Sequence, residues 1–262
     1  MRALFLNALK IQLELVPKSL FCDVYKNCIY ATQITNMDLR KIAAEEAVKY
    51  IKNNTNVGFG GGASIAYAIE LLSERIKNEN LTIQVITSSS ATKEICKKYS
   101  IPLNEEINKQ PLDLYFDGCD QFDFELNALK SGGGIHTLEK ICASLATEFI
   151  LLGDNTKRKD KFDIKYPVVV DVLPSSLFWV MDSIKKTISG SNPQIRIGTN
   201  NETALTENGN ILVDIWFDIF PEPKALHQKF KSITGVVETS LFIGLAHKAI
   251  VASPDGVETY IK

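Results

Sequence analysis

Asn56-Val-Gly-Phe-Gly60-Gly61-Gly62-Ala63-Ser64 decides the fold of this chain. It reads as a short strand that runs into three glycines and opens directly into a helix, Ala63 to Lys77. Glycines let the backbone approach an anion closely, and the first turn of a helix offers unpaired N–H groups and positive potential. Upstream, Asp38 to Asn53 reads as a helix. Asp38 is a possible N-cap, and Ile42, Ala43, Ala47 and Ile51 fall at helical spacing. Downstream, strand and helix alternate: Leu81 to Thr87, Ala91 to Tyr99, Leu112 to Phe116, Thr137 to Glu148, then Phe149 to Gly153.

That alternation predicts an α/β fold, a Rossmann-like, mostly parallel sheet with helices on both faces. After about Phe162 the pattern changes. Tyr166 to Leu173, Gln194 to Gly198 and Ile211 to Phe217 read as strands, with helices within Pro174 to Ser189 and over Pro223 to Ser232. This predicts a smaller inserted α+β (ferredoxin-like) domain over 163–240. The main domain then covers 37–162 and 241–262. Residues 1–36 read as a peripheral N-terminal extension, with an organelle-targeting segment as the minority alternative.

Composition excludes several classes. The chain has 262 residues, 45% of them hydrophobic, and a formal net charge of -2, so no basic excess favours nucleic acid or an anionic membrane. No run approaches the roughly 18 apolar residues of a membrane helix. The five cysteines are Cys22, Cys28, Cys96, Cys119 and Cys142. Their odd number and lack of CxxC spacing predict reduced thiols in a reducing, cytoplasmic compartment. The three histidines, His136, His227 and His247, are too scattered to suggest a histidine-rich metal site.

Three stretches concentrate chemistry. The Gly58 to Ala63 segment formally fits a dinucleotide fingerprint, GxGxxA. That reading needs an acid at the end of the next strand to hold a ribose. The strand ends Val85-Ile-Thr-Ser-Ser-Ser90 instead, so a phosphate-monoester loop is favoured and a purely structural turn remains the alternative. The second stretch is Asp117-Gly-Cys-Asp120, Lys130-Ser-Gly132-Gly133-Gly134 and Glu139-Lys140. Asp117 and Asp120 are expected just past a buried strand, at the edge where open α/β sheets bind ligands. The glycine triplet suits a loop whose amides face developing negative charge. Paired acids also hold Mg2+ in many phosphoryl-transfer sites, but no P-loop or kinase signature accompanies them. The third, Asp154-Asn-Thr-Lys157, supplies a lysine at the same sheet edge, a plausible phosphate clamp.

From about Met37 to Lys262 these residues resemble the ribose-5-phosphate isomerase A family. The blocks that carry the resemblance include the glycine loop, Asp117-Gly-Cys-Asp120, Asn127-Ala-Leu-Lys130-Ser-Gly-Gly-Gly134, Glu139-Lys140, Asp154-Asn-Thr-Lys157, Glu207-Asn-Gly-Asn210 and Ser253-Pro-Asp-Gly-Val257. The resemblance implies an aldose-ketose isomerase that interconverts D-ribose 5-phosphate and D-ribulose 5-phosphate. Glu139 is then the general base, with Asp117, Asp120 and Lys130 supporting ring opening and sugar binding. It implies phosphate-binding positions at Ser64 and Lys157, with Arg40 where the family usually carries a lysine. It also implies no metal or organic cofactor, and a homodimer or homotetramer. The family's loop usually reads Gly-Thr-Gly-Ser-Thr; in Gly60-Gly61-Gly62-Ala63-Ser64 two of its three hydroxyls are gone. Gln121 stands where an acid usually follows the second aspartate. The competing functions are a phosphosugar-binding regulator without turnover, an isomerase for a related aldose phosphate, and an NAD-linked dehydrogenase.

Overall fold

The computed structural model describes residues 38–104, 107 and 111–262. The N-terminal extension expected over 1–36 lies outside them. In chain order the elements begin with α1 (Leu39–Ala47), β1 (Thr55–Phe59), α2 (Ala63–Glu79), β2 (Ile83–Thr87), α3 (Ser90–Lys98) and β3 (Leu112–Gly118). Two very short strands follow, β4 (Gln121–Phe122) and β5 (Ala128–Leu129), then α4 (His136–Leu145) and β6 (Ala146–Asp154). The next group is β7 (Val168–Val172), α5 (Leu177–Thr187), β8 (Ser191–Ile195), β9 (Ile211–Phe217) and α6 (Pro223–Lys231). The chain closes with β10 (Val236–Thr239), β11 (Leu241–Phe242), β12 (Lys248–Ser253) and β13 (Gly256–Ile261).

The main sheet runs β13-β12-β6-β3-β1-β2. Its pairings are parallel except for the β12–β13 hairpin. Because side chains alternate along a strand, β2, β3, β6 and β12 each feed two cores. On β6, Ile150 and Leu152 join α1 and α2 on one face, whereas Phe149 and Leu151 join α4 on the other. Helices therefore cover both faces, as expected of a buried parallel sheet. A second, antiparallel sheet, β10-β7-β9-β8, packs Val168, Val170, Val213 and Ile215 against α5 and α6. No helix among the described residues is long and apolar enough to cross a membrane.

Three expectations need correction. The helix expected over Asp38 to Asn53 is α-helical only to Ala47 and continues as a 3-10 turn, Val48–Tyr50. Arg75 on α2 donates to the carbonyls of Val48 and Ile51, so a side chain takes the acceptors that a longer helix would pair internally. The helix expected to reach Glu148 ends at Leu145. Ala146 and Glu148 instead pair with Leu112 and Leu114 of β3, and the tertiary ladder overrides the local pattern. The strand expected over Gln194 to Gly198 lies three residues earlier and contains Pro193. A proline is accommodated there because β8 is an edge strand with one unpaired side. Strands β4, β5 and β11 form a third small sheet, and at two residues each they are too short to leave a period-2 signal.

Candidate active site

The chain runs β1, β2, then crosses back to β3 on the other side of β1, so the strand order reverses between β1 and β3. Ligands of open α/β sheets bind outside the carboxyl ends of strands at such a reversal. A cleft of about 550 Å³ lies there, lined by Gly61 after β1, Ser89 after β2, Gly118 on β3 and Gly153 on β6.

Asp117 does not stand past the end of β3 as expected; it is the penultimate residue of that strand and is fully buried. It lies beneath the cleft and does not line it. Its carboxylate is saturated by donors. Gly61 N–H (3.2 Å) and Gly118 N–H (2.8 Å) donate to Oδ1, while Tyr115 Oη (2.9 Å) and the Lys130 ammonium (2.9 Å) reach Oδ2. Gly60 belongs to the same arrangement. A Cβ there would sit 2.0 Å from Asp117 Cγ, so glycine is what lets β1 pass the buried carboxylate. Gly60 is accordingly absent from the cleft wall, and its N–H continues the ladder to Phe116 O (2.9 Å).

Lys130 connects Asp117 to Glu139. Its ammonium is 3.4 Å from Glu139 Oε1, donates to Gly118 O, and lies 5.6 Å over the Phe242 ring. Burial alone would depress this ammonium's pKa; the Asp117 and Glu139 carboxylates outweigh burial and raise it. One buried cation thus faces two carboxylates and approaches Asp117 more closely. Glu139, 5% exposed in the first turn of α4, is left under-compensated. Burial first, then repulsion from Asp117, pushes its pKa up to about 8, against the pull of Lys130. The carboxyl is poised close to neutral pH, which suits a group that takes up and returns a proton.

Asp120, Lys130, Gly132, Gly133 and Glu139 all line the cleft. Asp120 Oδ2 accepts the Ser131 N–H (2.6 Å), which ties the glycine loop to the end of β3. Gly134 lies outside the wall, with a positive φ of 70° and no room for a Cβ beside Leu212. Its N–H is donated to Gly132 O (2.5 Å). The remaining expected residues, Arg40, Gly61, Gly62, Ala63, Ser64 and Lys157, also line the cleft. Gly62, at φ 101°, is the N-cap of the 17-residue α2, and no side chain among the described residues caps that helix end. The structure therefore gathers Arg40, Lys157 and the start of α2 in the same cleft as Lys130 and Glu139, above the buried Asp117.

A family model for ribose 5-phosphate isomerase A (phosphoriboisomerase A) matches residues 84–256. The chain is 35% identical to ribose-5-phosphate isomerase A 1 of Oceanobacillus iheyensis over 224 residues, covering 86% of this chain and 97% of that one. Among solved structures, ribose 5-phosphate isomerase A of Methanocaldococcus jannaschii superposes with a TM-score of 0.80 at 34% identity, covering 86% and 99% of the two chains. A D-ribose-5-phosphate isomerase in complex with phospho-erythronic acid gives 0.80 at 30% identity, with 86% and 100% coverage.

This chain belongs to the ribose 5-phosphate isomerase A family.

Several residues of this family member's cleft escaped the sequence reading. Ser89 lines it while capping α3 by accepting the Thr92 N–H (3.2 Å). The Ser-Ser-Ser run was visible, but nothing in it pointed to the cleft. Cys119 lines the cleft too, and burial pushes its thiol up to about 12, so it stays protonated. Support from the antiparallel sheet was not legible at all. Arg196, paired with Asp214 (2.6 Å), donates to Ser131 O (2.8 Å) and so holds the glycine loop from outside.

Proposed function

We propose that this chain interconverts D-ribose 5-phosphate and D-ribulose 5-phosphate, with Glu139 carrying one proton between C2 and C1. The observation that supports this most is the buried Glu139 carboxyl facing a cleft beside a single ammonium already engaged by Asp117. In the open-chain aldose, the Glu139 carboxylate removes the C2 proton. The C–H electron pair forms the C1–C2 double bond, and negative charge moves onto O1. The hydroxyl proton of O2 passes to O1, Glu139 returns its proton to C1, and C2 becomes the carbonyl. Lys130 and the amides of Gly132 and Gly133 are donors already in place for the enediolate charge, at no reorganisation cost during the reaction.

Asp117 takes a different part from the one its motif implied. Fully buried and saturated with donors, it orients Lys130 and the Gly61 amide, while Asp120 in the cleft wall assists ring opening and binds sugar hydroxyls. Arg40, Ser64, Lys157 and the amides at the start of α2 bind the phosphate, anchoring the far end of the sugar so that C1 and C2 meet Glu139. The same reading takes 37–162 with 241–262 as the site-bearing domain and 163–240 as its support. Free Cys96, Cys119 and Cys142 suit a reducing compartment, and the family resemblance favours a cytoplasmic homodimer or homotetramer.

A panel of aldose phosphates assayed with purified full-length chain tests the proposal. Ribulose 5-phosphate formation from ribose 5-phosphate, with the highest kcat/KM of the panel, is the expected result. Phosphosugar binding without turnover would make the chain a regulator, and a higher kcat/KM for another aldose phosphate would change the substrate.

A further inference from the structure

Lys140 follows the proposed base directly on α4, is 9% exposed, and does not line the cleft. Its ammonium donates to Glu238 Oε1 (2.8 Å), Thr239 O (2.7 Å) and Leu241 O (2.8 Å). Three donors on a tetrahedral nitrogen thus meet three acceptors of one short segment at the end of β10 and the start of β11. The carbonyl between them is also occupied, because Ser240 O accepts the backbone N–H of Lys130 (2.9 Å). Phe242 continues the pattern, with Lys140 Nζ 5.0 Å and Lys130 Nζ 5.6 Å from its ring centroid.

The segment is itself anchored. Ser240 exchanges two hydrogen bonds with Val169 on β7, N–H to carbonyl (2.8 Å) and Val169 N–H to Ser240 Oγ (2.9 Å). Glu238 accepts from the Thr239 N–H (2.8 Å) and pairs with Lys231 of α6 (3.1 Å). Two buried lysines, one facing the cleft and one outside it, therefore share a single backbone support.

We propose that Lys140 is a positioning residue of the isomerase site: it locks α4, and with it Glu139, to the Thr239–Phe242 segment that also locks Lys130. Burying an ammonium costs free energy that an apolar side chain of similar length avoids. The convergence of its acceptors beside the reacting pair accounts for a charge at this position. Removing it leaves two buried carbonyls without that donor and frees the helix that carries the base. A displacement of about 1 Å between a base and its partner is enough to slow chemistry without weakening substrate binding.

This inference rests on the reading of Glu139 as the base, so Glu139→Gln is assayed in parallel. In Lys140→Met, which keeps length but not charge, kcat falls about tenfold or more while KM stays within about threefold, in protein whose melting curve lies above the assay temperature. A kcat within about twofold of wild type in the folded variant, or a raised KM with unchanged kcat, overturns the proposal. Should Lys140→Met fail to fold, Glu238→Gln decides. It retains both carbonyl acceptors, and its kcat is expected to fall about threefold to tenfold at constant KM; no fall overturns the brace. Full activity of Glu139→Gln removes the base assignment itself. Loss in Glu139→Gln beside an unchanged kcat in Lys140→Met removes only the brace.

Discussion

The two glycine-rich segments of the cleft solve different problems. Gly60 to Ser64 presents backbone: an uncapped helix start, a left-handed Gly62, and one side-chain hydroxyl. Lys130 to Glu139 presents charged side chains, with Lys130 buried between Glu139 and the Asp117 carboxylate of β3, beside the Gly132 and Gly133 backbone that lines the same cleft. On the proposed reading, the first segment holds an anion through amides that every residue except proline possesses, and so is expected to tolerate side-chain change. The second does not, because each buried charge is balanced against the others and loss of one strands its partners.

Substitutions can break that contrast. Glu139→Gln removes the base and is the harshest, with kcat expected to fall about a thousandfold or more. Ribose 5-phosphate should still bind the variant in calorimetry. Residual activity near wild type would show that the side-chain segment carries no proton. The pH profile follows. With a free-enzyme pKa raised to about 8, Glu139 is protonated below that pH and inactive as a base. The expected kcat/KM therefore drops about tenfold per pH unit on the acid side and levels off above it. A flat profile from about pH 6 to 9 would mean that the ionisation of Glu139 does not limit the reaction.

The phosphate end should respond more gently. Lys157→Ala is expected to raise KM about tenfold with kcat within about threefold, since a point charge on the anchored end is lost but the amides remain. Equal losses in kcat and kcat/KM would make Lys157 part of the chemistry instead. The smallest effect belongs to Ala63→Ser, which adds a hydroxyl beside Gly62. KM should fall by about twofold to threefold, a net hydrogen bond's worth. A larger gain would show that backbone amides alone do not saturate phosphate binding.

Much of the cleft was legible in the chain. Gly61 to Ser64, Asp120, Lys130, Gly132, Gly133 and Lys157 were marked by their place beside strand ends and Glu139 by its place at the start of a helix, and all line one cavity. Asp117 and Gly60 were legible as important but not as what they are. Nothing local says that a Cβ at position 60 would strike a carboxylate 57 residues away in sequence. The same limit hid the partners of Lys140, which lie about a hundred residues downstream.

The chain alone determined the alternation of strands and helices, because hydrophobic period, glycine placement and capping act within a few residues. It also determined which acids and cations stand near strand ends. Only the tertiary structure decided their electrostatic state. The parallel pairing of β1 with β3 buries Asp117, which holds Lys130 closer than Glu139 does and leaves the Glu139 carboxyl under-compensated. Burial and charge balance depend on neighbours brought together across the sheet, and no pattern of nearby residues records them.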